Sequence, residues 1–271
     1  MSKEIAKQND AAVADFLASV TDAGYDGFEN VDQKLIELPF LKYAQPTSSE
    51  LLEGAGQIAD LKPGQFFNKI TGKVYGSEVL VIPLGFDASF LEWDESGGSG
   101  KLCGRYKASE VEQMIKDGVI LVEAGYKYTR KANGNKFTDT QTFFVMLPEY
   151  ADDGIMMLSF KSKGLKHVRK WMTKIRAMRW TLPDKSTVTA PMFGCVWSLK
   201  TMLNKNDKGS FYLLGDDKTM TANRVGDLLD DEWSPLQKTV LEAASYVKDI
   251  QFKVNVVEKD VTGSGDDKIP F

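Results

Sequence analysis

The chain has 271 residues, 42% of them hydrophobic and 27% charged, which is enough apolar material for one elaborated domain with a sizeable core. No apolar run is long enough to span a bilayer, and the opening "MSKEIAKQND" lacks a signal-peptide core, so the expected location is the cytoplasm, with no membrane partner. The formal net charge of −4 is unevenly spread: residues 1–60 sum to −7, residues 61–200 to +7 and residues 201–271 to −4, a basic centre suited to an anionic partner.

Residues 1–30 combine a short helix-compatible piece, "AAVADFLASV", with the Gly- and Asp-rich "TDAGYDGFEN", and read as a flexible arm. From residue 31 the pattern changes. Strand-like runs then recur between turn signals: "GQFFNKI", "EVLVIPLGF", "ASFLEW", "VILVEAGYKYTRK", "TQTFFVMLPE", "GIMMLSFK", "MFGCVWSLKTML" and "GSFYLLG". The loop "ESGGSGK" at 95–101 separates two of them, and "ANGN" supplies a hairpin turn because Asn and Gly tolerate positive φ. "ASEVEQMIKDG" predicts a short helix stopped by Gly118, and longer helices are expected over 163–179 and 233–250. Many strands without regular strand–helix alternation predict a mainly β fold: an antiparallel barrel elaborated with extra strands and two to three helices. That domain is expected over 31–256, followed by a disordered acidic tail over 257–271.

Catalytic and metal motifs are sparse. His167 is the one histidine and lies in a basic segment, Cys103 and Cys195 form no CxxC pair and read as buried reduced thiols, and no phosphate-cradling glycine loop occurs. The acidic runs "WDES" and "LLDDEW" are the places where Mg²⁺ chemistry could be built, and solvated loop acids are the plainer reading. The expectation is a non-enzymatic protein without cofactor or metal.

Binding features are richer. Residues 161–179 contain eight Lys or Arg and no acid. At helical spacing Leu165, Val168, Met172 and Ile175 share an apolar face, while Lys166, Arg169, Lys170, Lys174 and Arg176 take the opposite arc, with Lys163 at the start. Like charges at i,i+4 repel, so an external anion such as phosphate is expected to compensate them, with acids from the flanking segments as the alternative partners. In the hairpin 119–147, alternation puts Tyr126, Tyr128 and Arg130 on one face and Lys131 on the other, with Lys136 and Phe143 on the partner strand. Aromatic faces beside cations suit single-stranded nucleic acid, in which every nucleotide offers a π-face and a phosphate, while Tyr and Phe in strands are more often core, so both readings stay open here.

The last residues, "GSGDDKIPF", carry no core-forming pattern. They resemble the acidic tip of bacterial-type single-stranded DNA-binding proteins, in which Asp residues precede a terminal Ile-Pro-Phe. "LPFLKYAQPTSSELLEG" with the segments after it, and "LSFKSKGLKHVRKWMTKI", are similar to phage-encoded members of that group. The resemblance implies an OB-type barrel with 163–179 as its linking helix, and sequence-independent binding of single-stranded DNA in replication or recombination. It further implies recruitment of replication or recombination proteins by Asp266, Asp267, Ile269, Pro270 and Phe271, in the cytoplasm of a bacterial host. A metal-dependent phage nuclease or recombination enzyme with the same tail is the alternative, and a structural β-protein is a third.

Overall fold

The polypeptide from Pro39 onward is organised by one very long strand. The structure, a computed structural model, describes residues 38–261 except 55, 97–99, 124–126, 183, 208 and 216–221, and the side chains as far as residue 250. Strands β1 (Leu41–Tyr43), β2 (Phe66–Asn68) and β3 (Val74–Gly76) form a small antiparallel sheet. They lead into β4 (Glu78–Asp94), β5 (Lys101–Lys107), helix α1 (Ala108–Lys116), β6 (Ile120–Glu123), β7 (Lys127–Arg130) and β8 (Lys136–Met146). After β9 (Met156–Lys161) comes helix α2 (Gly164–Ala177), then the hairpin of β10 (Arg179–Thr181) and β11 (Thr187–Thr189). Strands β12 (Cys195–Asn206), β13 (Gly209–Leu214) and β14 (Ala222–Asp227) precede the C-terminal helix α3 (Gln237–Val261).

The main sheet runs β13-β12-β4-β8-β7-β6, with β5 on β4, β9 on β8 and β14 on β12, and its pairings are antiparallel. It curls as a half-barrel, so the mainly β expectation stands. The runs "EVLVIPLGF" and "ASFLEW", read as two strands, are one strand of 17 residues. A bulge between Pro83 and Gly85 shifts the register against β8. Core-facing positions therefore change from odd numbers, Val79 and Val81, to even ones, Phe86 and Phe90. Pro83 has no N–H to donate, and the bulge accommodates it within the sheet.

Helix α2 fills the curl. Its Val168, Trp171 and Ile175 are buried against Phe143, Val145, Leu158 and Trp197 from the sheet, and the Trp171 and Phe143 rings lie 4.2 Å apart at 35°. On the other side of the sheet, α3 packs against β4 through a face that includes buried Val240 and Val247. A second, smaller core lies further along β4 and β8. There Val111 of α1, Ile120 and Phe137 pack together, with Phe90, Tyr106 and Tyr128 at the margin. Gly134, at φ 76°, closes the expected turn between β7 and β8, and its N–H donates to the Arg130 carbonyl at 2.8 Å.

Two boundaries differ from expectation. α3 is entered through a 3-10 turn at Ser234–Leu236 and its backbone remains helical to Val261, past the expected tail boundary at 257. Cys195 is buried as expected, but Cys103 is exposed, because β5 pairs only with β4 in the described sheet and turns that side chain outward. The arm 1–30 and the terminal residues 262–271 lie outside the described residues.

Candidate nucleic-acid interface

Helix α2 begins where Ser162, at φ 52°, turns the chain out of β9. No acid occupies its first turn and no side chain caps it, whereas Lys163 and Lys166 sit at that positive end. Cations there oppose the helix macrodipole, a cost of about 0.3–1 kcal/mol each at low salt unless an anion approaches. Lys166, Arg169 and Arg176 are exposed and Lys170 half-exposed on the arc away from Trp171. Among the described residues no carboxylate forms an ion pair with Lys163, Lys170 or Arg176. Lys163 instead lies over the Phe211 ring, 4.7 Å from its centroid. Lys174 turns inward and donates to the Ala222 carbonyl, and partial burial lowers its ammonium below the ordinary lysine range. His167 is buried within the helix.

The hairpin residues divide differently from the sequence expectation. Tyr128 and Arg130 do share a face, since both sit at the second core. Arg130 is committed there: its Nε and Nη2 donate to the two carboxylate oxygens of buried Glu92 at 2.7 and 2.8 Å. Phe143 is fully buried under Trp171, which closes its ring to a stacked base. Lys136 lies on the opposite face of β8 and donates to Thr129 Oγ1 at 3.1 Å, and Lys131 is exposed beyond β7. Tyr126, Asp266, Asp267, Ile269, Pro270 and Phe271 fall outside the described residues.

Between the two cores the inner face is open. Along β8 the inward positions read Phe137, Asp139, Gln141, Phe143, so the apolar series is interrupted by two polar residues. Opposite them on β4, Ala88 is exposed and Phe90 is half-buried, its ring edge-on to Tyr128 at 5.3 Å and 80°. With α1 as one wall, Ala88, Phe90, Asp139 and Gln141 line a half-open cavity of about 250 Å³. Burial raises the Asp139 carboxyl above its ordinary value, with the positive charge of Arg169 pulling the other way. The field of an α2 cation is therefore felt at a carboxyl of this aromatic-lined saddle. Phe90, Asp139 and Gln141 are not singled out by the sequence reading, although the polar break "TDTQT" inside a strand is a legible sign of an uncovered stretch.

The acidic runs serve local structure. Asp94 Oδ1 accepts the Ser96 N–H at 2.9 Å, and Asp230 Oδ2 accepts the Asp227 N–H at 2.7 Å. Among the described residues no three His, Cys, Asp or Glu side chains gather as a metal site, and no helix is long and apolar enough to cross a membrane.

A curled antiparallel sheet plugged by a helix with an exposed cationic arc, with an aromatic-lined saddle beside it, defines a mainly β protein. Residues 6–223 match the Pam3 phage gp34-like protein family, and the chain belongs to that family. This agrees with the phage origin implied by the sequence resemblance. No curated protein and no solved structure matches the chain.

Proposed function

We propose that this phage protein binds single-stranded DNA without regard to sequence along most of its track, as a non-enzymatic coat during replication or recombination. The observation that carries the reading is the α2 arc, whose Lys170 and Arg176 have no carboxylate partner among the described residues and whose exposed Arg169 acts electrostatically on Asp139 of the Phe90–Tyr128 saddle. Phosphates would lie along the arc and splayed bases over the saddle, the combination that single strands favour. In this reading the half-barrel is an OB-type barrel, with α2 as the helix linking its strands. The segment "DDKIPF" would recruit replication or recombination proteins: Pro270 would stiffen the peptide, Phe271 would offer a ring, and Asp266 and Asp267 would steer it.

A gel shift with labelled single-stranded and duplex oligonucleotides, with and without Mg²⁺, tests the reading. Metal-independent retention of the single strand without cleavage is the expected result. Mg²⁺-dependent shortening would replace it with the nuclease reading, and no retention of either form would defeat it.

A further inference from the structure

The saddle differs in charge from the helix beside it. Its lining includes the carboxyls of Asp139 and Glu112 together with the Phe90 and Tyr128 rings and, among the described residues, no Lys or Arg. Carboxylates repel phosphate, so the backbone of a bound strand belongs on α2 and not in this cavity. A base is a different case. Its ring suits the aromatic lining, and an exocyclic amine donates to carboxylate or amide oxygens. Asp139 and Gln141 stand on the same inward face of β8, two residues apart, with the exposed methyl of Ala88 paired opposite Gln141 and leaving that edge of the floor uncovered.

We infer that the cavity between α1 and the β4–β8 floor takes one unstacked nucleobase and favours bases bearing an exocyclic amine over thymine, with Asp139 and Gln141 reading the base edge. The inference rests on the single-strand reading and adds one local preference to a track that is otherwise indifferent. Cytosine and thymine separate the idea well, because they are similar in size and stacking area. Cytosine presents its N4 amine as a donor where thymine presents the O4 acceptor, which a carboxylate disfavours. The discrimination belongs to the charged carboxylate, which the Arg169 charge and a hydrogen bond from the Gln141 side chain favour against burial; a neutral carboxyl would also donate its O–H to thymine O4.

The test compares short oligo(dC) and oligo(dT), about ten nucleotides long so that few sites are filled at once. Fluorescence anisotropy should give the full-length protein a preference for oligo(dC) of about fivefold, the worth of one net hydrogen bond. Asp139→Ala and Gln141→Ala should bring the two affinities together while oligo(dT) binding persists. Ala88→Leu should do the same by filling the floor, from an exposed position outside both cores. Equal affinities in the unmodified protein, or a preference untouched by these variants when circular dichroism shows them folded, overturns the inference alone. Failure of both oligomers to bind the unmodified protein overturns the single-strand reading and the inference together.

Discussion

Arg130 grips Glu92 through two parallel hydrogen bonds of 2.7 and 2.8 Å, and Tyr106 and Asn135 each add a bond of 2.8 Å to the same carboxylate. Burial alone would raise the Glu92 carboxyl, but these hydrogen bonds and the guanidinium outweigh it and hold the group below the ordinary carboxylate range. The phenol of Tyr106 is pushed up to about 12 by burial and by its bond to Glu92. This network locks β4, β5, β7 and the loop before β8 together, so it sets the far wall of the saddle. Removing one partner leaves the other buried without its counter-charge. Arg130→Met should lower unfolding free energy by about 3–5 kcal/mol in urea denaturation. A loss below about 1 kcal/mol would show that the pair is only a surface bridge.

The same carboxylate predicts an acid response. Because the folded-state value lies below the unfolded one, Glu92 contributes its stability in full above its ordinary value near 4.5, and that contribution disappears as pH falls through the lowered folded value. Thermal melts should therefore fall more steeply between about pH 5 and pH 3 for the natural chain than for Glu92→Gln. The variant starts lower at neutral pH. Parallel curves for the two proteins would remove Glu92 as the titrating group.

Aromatic residues at alternating positions separate into core and saddle. Phe143 packs on Trp171 at 4.2 Å and Phe86 at 4.9 Å with no exposure, so Phe143→Ala should cost about 3–5 kcal/mol of stability. Phe90 and Tyr128 are half-buried at the cavity. Replacing Tyr128 with Ala should weaken oligonucleotide binding by about 1–3 kcal/mol and lower the melting temperature far less than Phe143→Ala. A Tyr128 variant that melts early and binds normally would move the stacking surface elsewhere.

These cases show what the sequence could carry. The 3.6-residue spacing of Leu165, Val168, Met172 and Ile175 was sufficient to place α2, but its buried face is centred on Val168, Trp171 and Ile175, with Leu165 and Met172 only half-buried, because the curl closes on the large indole ring. Strand β5, "KLCGRYK", was not legible: it pairs only with β4 in the described sheet, exposes most of its side chains and so lacks the alternation that marks a half-buried strand. Phe143 and Tyr128 looked alike, since alternation gives a face and does not say what covers it. Only the packing of α2 over one core and α1 over the other distinguishes a buried ring from an open one. The commitment of Arg130 to Glu92 was not legible, because the two residues are remote in sequence.

The terminal peptide gives a prediction that depends on the sequence and not on the described fold. Removing residues 266–271 should leave the melting temperature unchanged and abolish pull-down of replication or recombination proteins. Binding of single strands should stay equal or tighten slightly as two aspartates leave. Loss of oligonucleotide binding on truncation would defeat the view of the tip as a recruiting peptide.

The cations of α2 can be tested without opening the core. Arg169, Lys170 and Arg176 lie away from Trp171 and Val168, whereas Lys174 holds the Ala222 carbonyl and is best left in place. Each phosphate neutralised on a single strand contributes about −0.7 to the log–log slope of affinity against salt. Changing all three to Gln should flatten that slope by up to about 2 if all three touch the backbone. Stability should hold or rise, because like charges on one helical arc no longer repel. Lys174→Gln should behave differently, losing a bond between α2 and β14 and lowering stability with little effect on the slope. An unchanged slope in a folded triple variant would place the phosphate track away from α2 and leave its charge as a solvated face.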